Sequence, residues 1–395
     1  MTPEEIASRM DGALEPREGG QWAVLPAETV QNHAAFLARL PDGALLCAWF
    51  GGTLEGKSDI SVYACLLDEG AGRWGPPARL TDDPDRSEQN PVIFTDAAGQ
   101  VWLCNTAQPA GNQDESRVFI RPLERQGDRL VAGPARDTGL PPGTFIRARP
   151  YLRDDGAWVL PLFRCNPRPG IRWTGAFDTA AIGISQDGGQ TWQVEEVPHS
   201  PGAVHMTPVP LGGDDFAAFY RRRQADFVHR SESRDGGRSW SAPVPTDVPN
   251  NNSSIGVAAL PGGVLAMVCN PISAAQSQAR RASLYDELEE ADDRPEAAEG
   301  CQPIWGVERA PLALCLSADG GQSFPLRHVI EDSPGTCLSN NSEDGRNKEL
   351  SYPVILPRSD GGLDIAYTLY RRAIRHVRLT PEAVADLVQQ LAGKE

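Results

Sequence analysis

Arginine is the side chain best suited to hold a carboxylate, sulfate or phosphate, because its planar guanidinium matches two oxygens at once. This 395-residue chain places arginines in short polar runs: Arg147-Ala148-Arg149, Arg221-Arg222-Arg223 and Tyr370-Arg371-Arg372, with Arg309 standing apart. Two histidines, in Gln31-Asn32-His33 and His205-Met206-Thr207, add groups that titrate near neutral pH and can carry a proton. Glu88-Gln89-Asn90, Asn250-Asn251-Asn252-Ser253-Ser254 and Glu349-Leu350-Ser351-Tyr352 supply the donors and acceptors that sugar hydroxyls need. Together these residue types fit recognition of an anionic sugar, with proton-transfer groups beside it.

Such residues need a scaffold to bring them together, and the rest of the chain supplies it by repetition. Gly (39) and Pro (34) are plentiful, and apolar runs of five to eight residues recur between turn signals, which predicts an all-β protein of many short strands. One eight-residue phrase occurs three times: Ser185 to Trp192, Ser233 to Trp240 and Ser317 to Phe324, each with Asp-Gly-Gly at its centre. Asp-Gly-Gly is turn chemistry: the glycines take positive φ and the carboxylate accepts turn N–H groups. A second turn recurs at Asp42-Gly43, Ala98-Gly99, Asp155-Gly156, Gly212-Gly213, Gly262-Gly263 and Asp360-Gly361, at intervals of 56, 57, 57, 50 and then 98 residues. The long last interval predicts an insertion near residues 272–308 of the fifth unit. Helical patterning is confined to the ends, at Thr2-Pro3-Glu4-Glu5 and at a segment opened by Thr380-Pro381 with Val384, Leu387, Val388 and Leu391 on one stripe.

The repeated phrase resembles the Asp-box of the sialidase-type β-propellers, where it joins the third and fourth strands of a blade. Six Gly-bearing turns then imply a six-bladed propeller over residues 1–395, with short terminal helices and with the segment around Trp22 closing the ring against the last blade. Strand direction alternates within a blade. The Gly-bearing turns and Asp-boxes therefore share one face, and the loops leading into the first strands share the other with the loops between second and third strands. The polar runs all fall on this second face.

The Asp-boxes and blades cover about residues 30–380, and the chain is identified as a member of the sialidase superfamily, in its bacterial BNR-repeat subgroup. Trp49 to Gly56, Asn250 to Ser254 and Leu350-Ser351-Tyr352-Pro353 carry that likeness. The resemblance implies an exo-acting glycosidase for a terminal acidic sugar. Three Arg would hold its carboxylate, a first-blade acid would protonate the leaving group, and a Tyr activated by a Glu would attack. By position Tyr352 corresponds to the nucleophile, Arg309 to the third carboxylate-binding Arg, and Asp59 or Glu55 to the acid. Gln89, Asn90, Arg147, Arg221, Arg223, Asn252 and Arg371 are the further candidates for substrate contact.

Two positions depart from the sialidase pattern. The Phe-Arg-Ile-Pro motif that supplies the first Arg is replaced by Gln31-Asn32-His33-Ala34, and His205 stands where the activating Glu belongs. Related propellers with a His at the mouth remove terminal rhamnose from glucuronate by hydrolysis or β-elimination. That resemblance implies a second set of roles: an Arg pairs the uronate carboxylate, His33 or His205 takes the C5 proton, and Tyr352 donates to the leaving oxygen. A third reading is a sugar-binding propeller without catalysis.

Charge and cysteine content narrow the partners. The net charge of −16 disfavours nucleic acid and anionic membranes. Eight acids against one base in residues 286–299 hold −7 of it, so the predicted mouth is locally basic. The insertion, with a short helix expected near Arg280 to Glu290, is a candidate lid or oligomer contact. Eight scattered cysteines read as buried reduced thiols, and no metal or other cofactor is expected. The acidic start, Met1-Thr2-Pro3-Glu4-Glu5, does not resemble a secretory signal, and a cytoplasmic location is expected.

Overall fold

Asp187, Asp235 and Asp319 build the same loop three times. In each, Oδ1 accepts from the backbone N–H groups three and four residues on at 2.9 to 3.1 Å, and Oδ2 accepts from the Thr or Ser hydroxyl four residues on. The preceding Ser185, Ser233 or Ser317 donates its hydroxyl to the same carboxylate and accepts from the second glycine's N–H. Both glycines of every copy have positive φ, which a side chain would strain. Each loop joins the third strand of a four-stranded sheet to the fourth.

The computed structural model describes residues 1–109, 113–281, 294–332, 334–335, 337–338 and 348–394. Six antiparallel sheets form the six blades of a β-propeller. Their first strands are Gln31–Arg39, Ser87–Thr95, Thr144–Ile146 with Tyr151–Leu152, Ala203–Gly212, Gly256–Ala259 and Leu350–Pro357. Each blade touches the next around a closed ring, the last against the first, through these first strands or, from blade 3 to blade 4, through the strand Trp158–Arg164. Apolar side chains from facing sheets fill the spaces between blades, for example Phe36, Leu46 and Val62 of blade 1 with Val92, Leu103 and Ile120 of blade 2.

Gly20–Val24 pairs with Ala373–Leu379, Trp22 opposite Val377, so the N-terminal strand completes the sixth blade as the sequence predicts. A polar latch secures this closure. Trp74 of blade 1 donates to His376 Nδ1 at 3.3 Å, and His376 Nε2 meets the buried Asp364 at 2.9 Å.

The terminal helices α1 (Pro3–Arg9) and α2 (Pro381–Ala392) form where expected. Thr2 and Glu5 make the reciprocal capping box of α1, and the α2 stripe buries Val384, Leu387 and Leu391. The insertion leaves blade 5 after the strand Leu265–Cys269 and rejoins it at Leu312–Ser317. Most of the helix expected near Arg280 to Glu290 lies outside the described residues. The described return, 294–308, crosses the mouth over loops of blades 3 and 4: Arg172 N donates to Pro295 O, Cys301 N to Ala176 O and Ile304 N to Arg223 O. Seven cysteines are buried and free, and Cys301 is half-buried.

One backbone feature positions the site. Ala34, Asn90, His205, Asn252 and Tyr352 all have φ between 49° and 61°, and the first-strand registers of blades 1, 2, 4 and 6 slip at these points. A bulge of this kind re-aims the side chains around it. The positive-φ residue recurs around the axis in five of the six blades, at the level of the mouth.

Candidate active site

Tyr352 sits at the centre of this ring. Its phenol oxygen accepts from Arg221 Nη1 at 2.7 Å, and its ring lies 4.3 Å from His33 and 5.6 Å from His205, centroid to centroid. The guanidinium carbons of Arg147, Arg309 and Arg221 stand 5.5, 5.6 and 5.8 Å from the same ring. Cations gather over an aromatic face because its quadrupole is negative there. The residues at the bulge therefore converge: His33, His205, Arg221, Asn252 and Tyr352 occupy one pocket.

Both histidines are neutral. Burial, reinforced by Arg371 for His33 and by Arg221 for His205, holds each well below the ordinary value of 6.5. His33 Nδ1 lies 2.9 Å from Thr368 Oγ1 and 3.8 Å from Glu349 Oε1, two oxygens that favour the proton on Nδ1. Its Nε2 is buried without a partner. A nitrogen with a free lone pair, on a ring oriented from behind, is the arrangement of a general base. His205 Nδ1 meets Ser254 Oγ at 3.0 Å.

The arginines divide into two groups. Arg223 gives Nε and Nη2 to Asp178 Oδ2 at 2.9 and 2.6 Å, and Arg371 bridges Glu349 and Glu55, so both are already neutralised by carboxylates. Arg309 shares Glu349 at 2.6 Å. Arg221 has no carboxylate: Nε donates to Asn252 Oδ1 at 2.8 Å, Nη1 to Tyr352, and Nη2 is buried without a partner. Burial lowers it to about 10. It is the guanidinium left to receive a substrate anion, with Arg309 beside it.

Glu349 is the residue that sequence reading underrated. It is fully buried, and Arg309, Arg371 and the Ser351 hydroxyl hold it ionised, well below the usual carboxylate range despite its burial. Its place in the loop three residues before Tyr352 was the available signal. Arg371 reaches it from a three-residue hairpin loop in which Tyr370 and Arg371 both have positive φ and Arg372 N donates to Leu369 O. Bulky residues in that conformation cost about 1–3 kcal/mol each and persist only where surroundings over-determine them. Here the Arg371 ion pairs do so.

The remaining expected residues make no contact with the Tyr352 hydroxyl. Glu55 is half-buried at the rim and paired with Arg371. Asp59 is exposed and accepts from Thr53 N at 3.0 Å, within its own loop. Gln89 donates to Ser87 Oγ at 2.9 Å, and Asn90 keeps a buried Oδ1 without a partner. Arg147 lies behind Tyr352, donating to the carbonyls of Ala35 and Tyr352 at 2.9 and 3.0 Å, and so braces the site from the axis. Over the rim, Trp305 of the insertion stands 5.0 Å from Arg223 and 6.3 Å from Trp173. Among the described residues no three His, Cys, Asp or Glu side chains are grouped to hold a metal ion. No helix there is long and apolar enough to cross a membrane.

The sequence matches the model of a BNR repeat-like domain over residues 43–365. No curated protein matches it. Among solved structures the fold is similar to Hadza microbial sialidase Hz136, at 12% identity and TM-score 0.67 over 90% of this chain and 66% of that one. It is also similar to NanB sialidase from Streptococcus pneumoniae, at 12% identity and TM-score 0.61 over 90% and 69% of the two chains. A protein of unknown function from Dyadobacter fermentans matches over 93% and 97%, at 12% identity and TM-score 0.61. At such identities the likeness is one of fold, and the chain spans about two thirds of the length of either sialidase.

Proposed function

The chain belongs to the BNR repeat-like domain family, and from that premise we propose that it is an exo-acting carbohydrate-active enzyme, a sialidase-like glycosidase cleaving next to a terminal acidic sugar. The observation that carries this reading is Tyr352, bound to a guanidinium that has no carboxylate of its own and flanked by a neutral histidine with a free ring nitrogen. The sugar carboxylate docks on Arg221 and Arg309. Asn252 and Asn90 meet hydroxyls. Tyr352 attacks the anomeric carbon as His33 Nε2 takes the phenol proton, and the bond to the leaving oxygen breaks as Asp59 or Glu55, the first-blade acid, protonates that oxygen; water deprotonated by the same carboxylate then releases the sugar while His33 returns its proton to Tyr352.

A second reading is favoured by one specific contact. Because the Tyr352 oxygen accepts from Arg221, its own hydrogen is free to be given away. In β-elimination on a uronate, His33 takes the C5 proton, the electrons form the C4–C5 double bond, the C4–O bond breaks, and Tyr352 protonates the departing oxygen. The arginines stabilise the charge that spreads onto the carboxylate.

A panel of sialosides and of glucuronate-containing oligosaccharides that carry a terminal rhamnose on O4 of the glucuronate separates these reactions in one experiment. Hydrolysis in heavy-oxygen water labels the released sugar, whereas elimination gives an unsaturated uronate seen by its ultraviolet absorbance. Binding of an acidic sugar without turnover on any member of the panel would overturn the enzyme reading and leave a sugar-binding propeller.

A further inference from the structure

Two arginines of blade 3 cross the propeller axis, and the hydrogen bonds they make on the other side go to backbone carbonyls. Arg147 reaches the Ala35 carbonyl in blade 1 and the Tyr352 carbonyl in blade 6. Two residues further along the chain, Arg149 donates to the Leu37 carbonyl and lies 5.1 Å from the Phe36 ring. Both line an axial cavity of about 340 Å³ beneath the bulges. Its other walls are residues 207–210, 255–259 and 353–357, and none of the lining residues is acidic.

Carbonyl contacts satisfy individual N–H groups without cancelling charge. Arg147 is only 6% exposed, and its Nε is buried with no acceptor. Burial lowers both guanidiniums to about 10, with no carboxylate acting against it at either. Two like charges lining one cavity repel each other, and buried charges are ordinarily paired. The walls also limit what can enter. Apart from the arginines, Thr207 is the only lining residue with a polar side chain, so a sugar would leave most of its hydroxyls unmatched. A tetrahedral oxyanion needs guanidinium donors above all, and the volume takes it with several waters at roughly 30 Å³ each.

We propose that the axial channel is a binding site for a small inorganic oxyanion of the phosphate or sulfate class, held between Arg147 and Arg149 and separate from the mouth. Inorganic phosphate is titrated at constant ionic strength against the thermal midpoint of the full chain, since a ligand of the folded state raises that midpoint in a saturable way. The expected result is a saturable rise in the natural protein and in Arg221→Met, with the apparent Kd for phosphate weakened tenfold or more in Arg149→Met. No saturable rise, an equal rise in Arg149→Met, or a rise lost only in Arg221→Met would overturn the proposal, the last by placing the anion at the mouth. Should Arg149→Met fail to fold, crystals of the natural protein soaked in selenate decide the matter. A selenium anomalous peak between the two guanidiniums is expected, and a channel without one overturns the site.

Discussion

Arg221 Nη1 and the Tyr352 phenol oxygen are 2.7 Å apart, so the hydroxyl at the centre of the mouth is held by a cation rather than a carboxylate. The contact fixes where the oxygen points while leaving its hydrogen uncommitted. Every chemical role proposed for Tyr352 depends on that oxygen.

Tyr352→Phe keeps the ring, and with it the packing against His33, while removing the reacting atom. Turnover on the substrate found by the panel is expected to fall by about 10²–10⁴, the usual worth of a positioned proton-transfer group, with KM within about twofold. Steady-state kinetics check this, and an unchanged kcat would remove Tyr352 from the chemistry.

Arg221→Met deletes the guanidinium that holds the Tyr352 hydroxyl and has no carboxylate partner of its own. A charge-assisted hydrogen bond contributes about 1.5–3 kcal/mol, so affinity for the acidic sugar should drop roughly ten- to a hundredfold. The uncharged methyl ester of the same sugar should bind the natural and variant proteins alike. Calorimetric titration of both ligands makes the comparison, and equal losses for acid and ester would show that Arg221 does not read the carboxylate.

Glu349→Gln leaves Arg309 and Arg371 without their shared buried counterion. Breaking such a pair from one side costs about 3–5 kcal/mol. The urea midpoint should shift down with little change in slope. A variant as stable as the natural protein would mean that the two arginines find another anion at once.

The buried histidines set the acid side of stability. Burial lowers His33, His205 and His376 below 6.5 and His229 to about 4. The folded chain keeps them neutral while the unfolded chain takes up protons below 6.5. Stability is therefore full above that value and declines as pH falls toward each folded value, by up to about 1.4 kcal/mol per pH unit for each histidine. Carboxylates held below their usual range, Glu349 among them, lose their contribution only below about pH 4.5, so the window above it belongs to histidine. Urea midpoints at about pH 7.5 and about pH 5 test the decline; equal midpoints contradict it.

The blades were legible because their loops obey local chemistry. Asp-Gly-Gly between strands has few other uses, and Thr-Pro-Glu-Glu caps a helix wherever it stands. The bulges were not legible in that way, since Ala34, Asn90, His205, Asn252 and Tyr352 include no glycine to mark positive φ. A weaker signal existed: Ala34, Asn90, Arg147 and Tyr352 each stand eight residues before their blade's Gly-bearing turn. The arginines were found as a set but not sorted, because sorting depends on partners distant in sequence. Glu349 meets Arg371 and Arg309 across 22 and 40 residues, Arg223 meets Asp178 across 45, and Arg147 meets Ala35 across 112.

Pairing of Gly20–Val24 with Ala373–Leu379 also governs when this protein can exist. Residues 20–24 leave the ribosome about 350 residues before their partner strand, and until the two meet the blades form an open arc with an unpaired edge at each end. Such edges invite other chains. A premature stop before residue 373 would therefore yield a sticky fragment with no assembled mouth, rather than a smaller working protein.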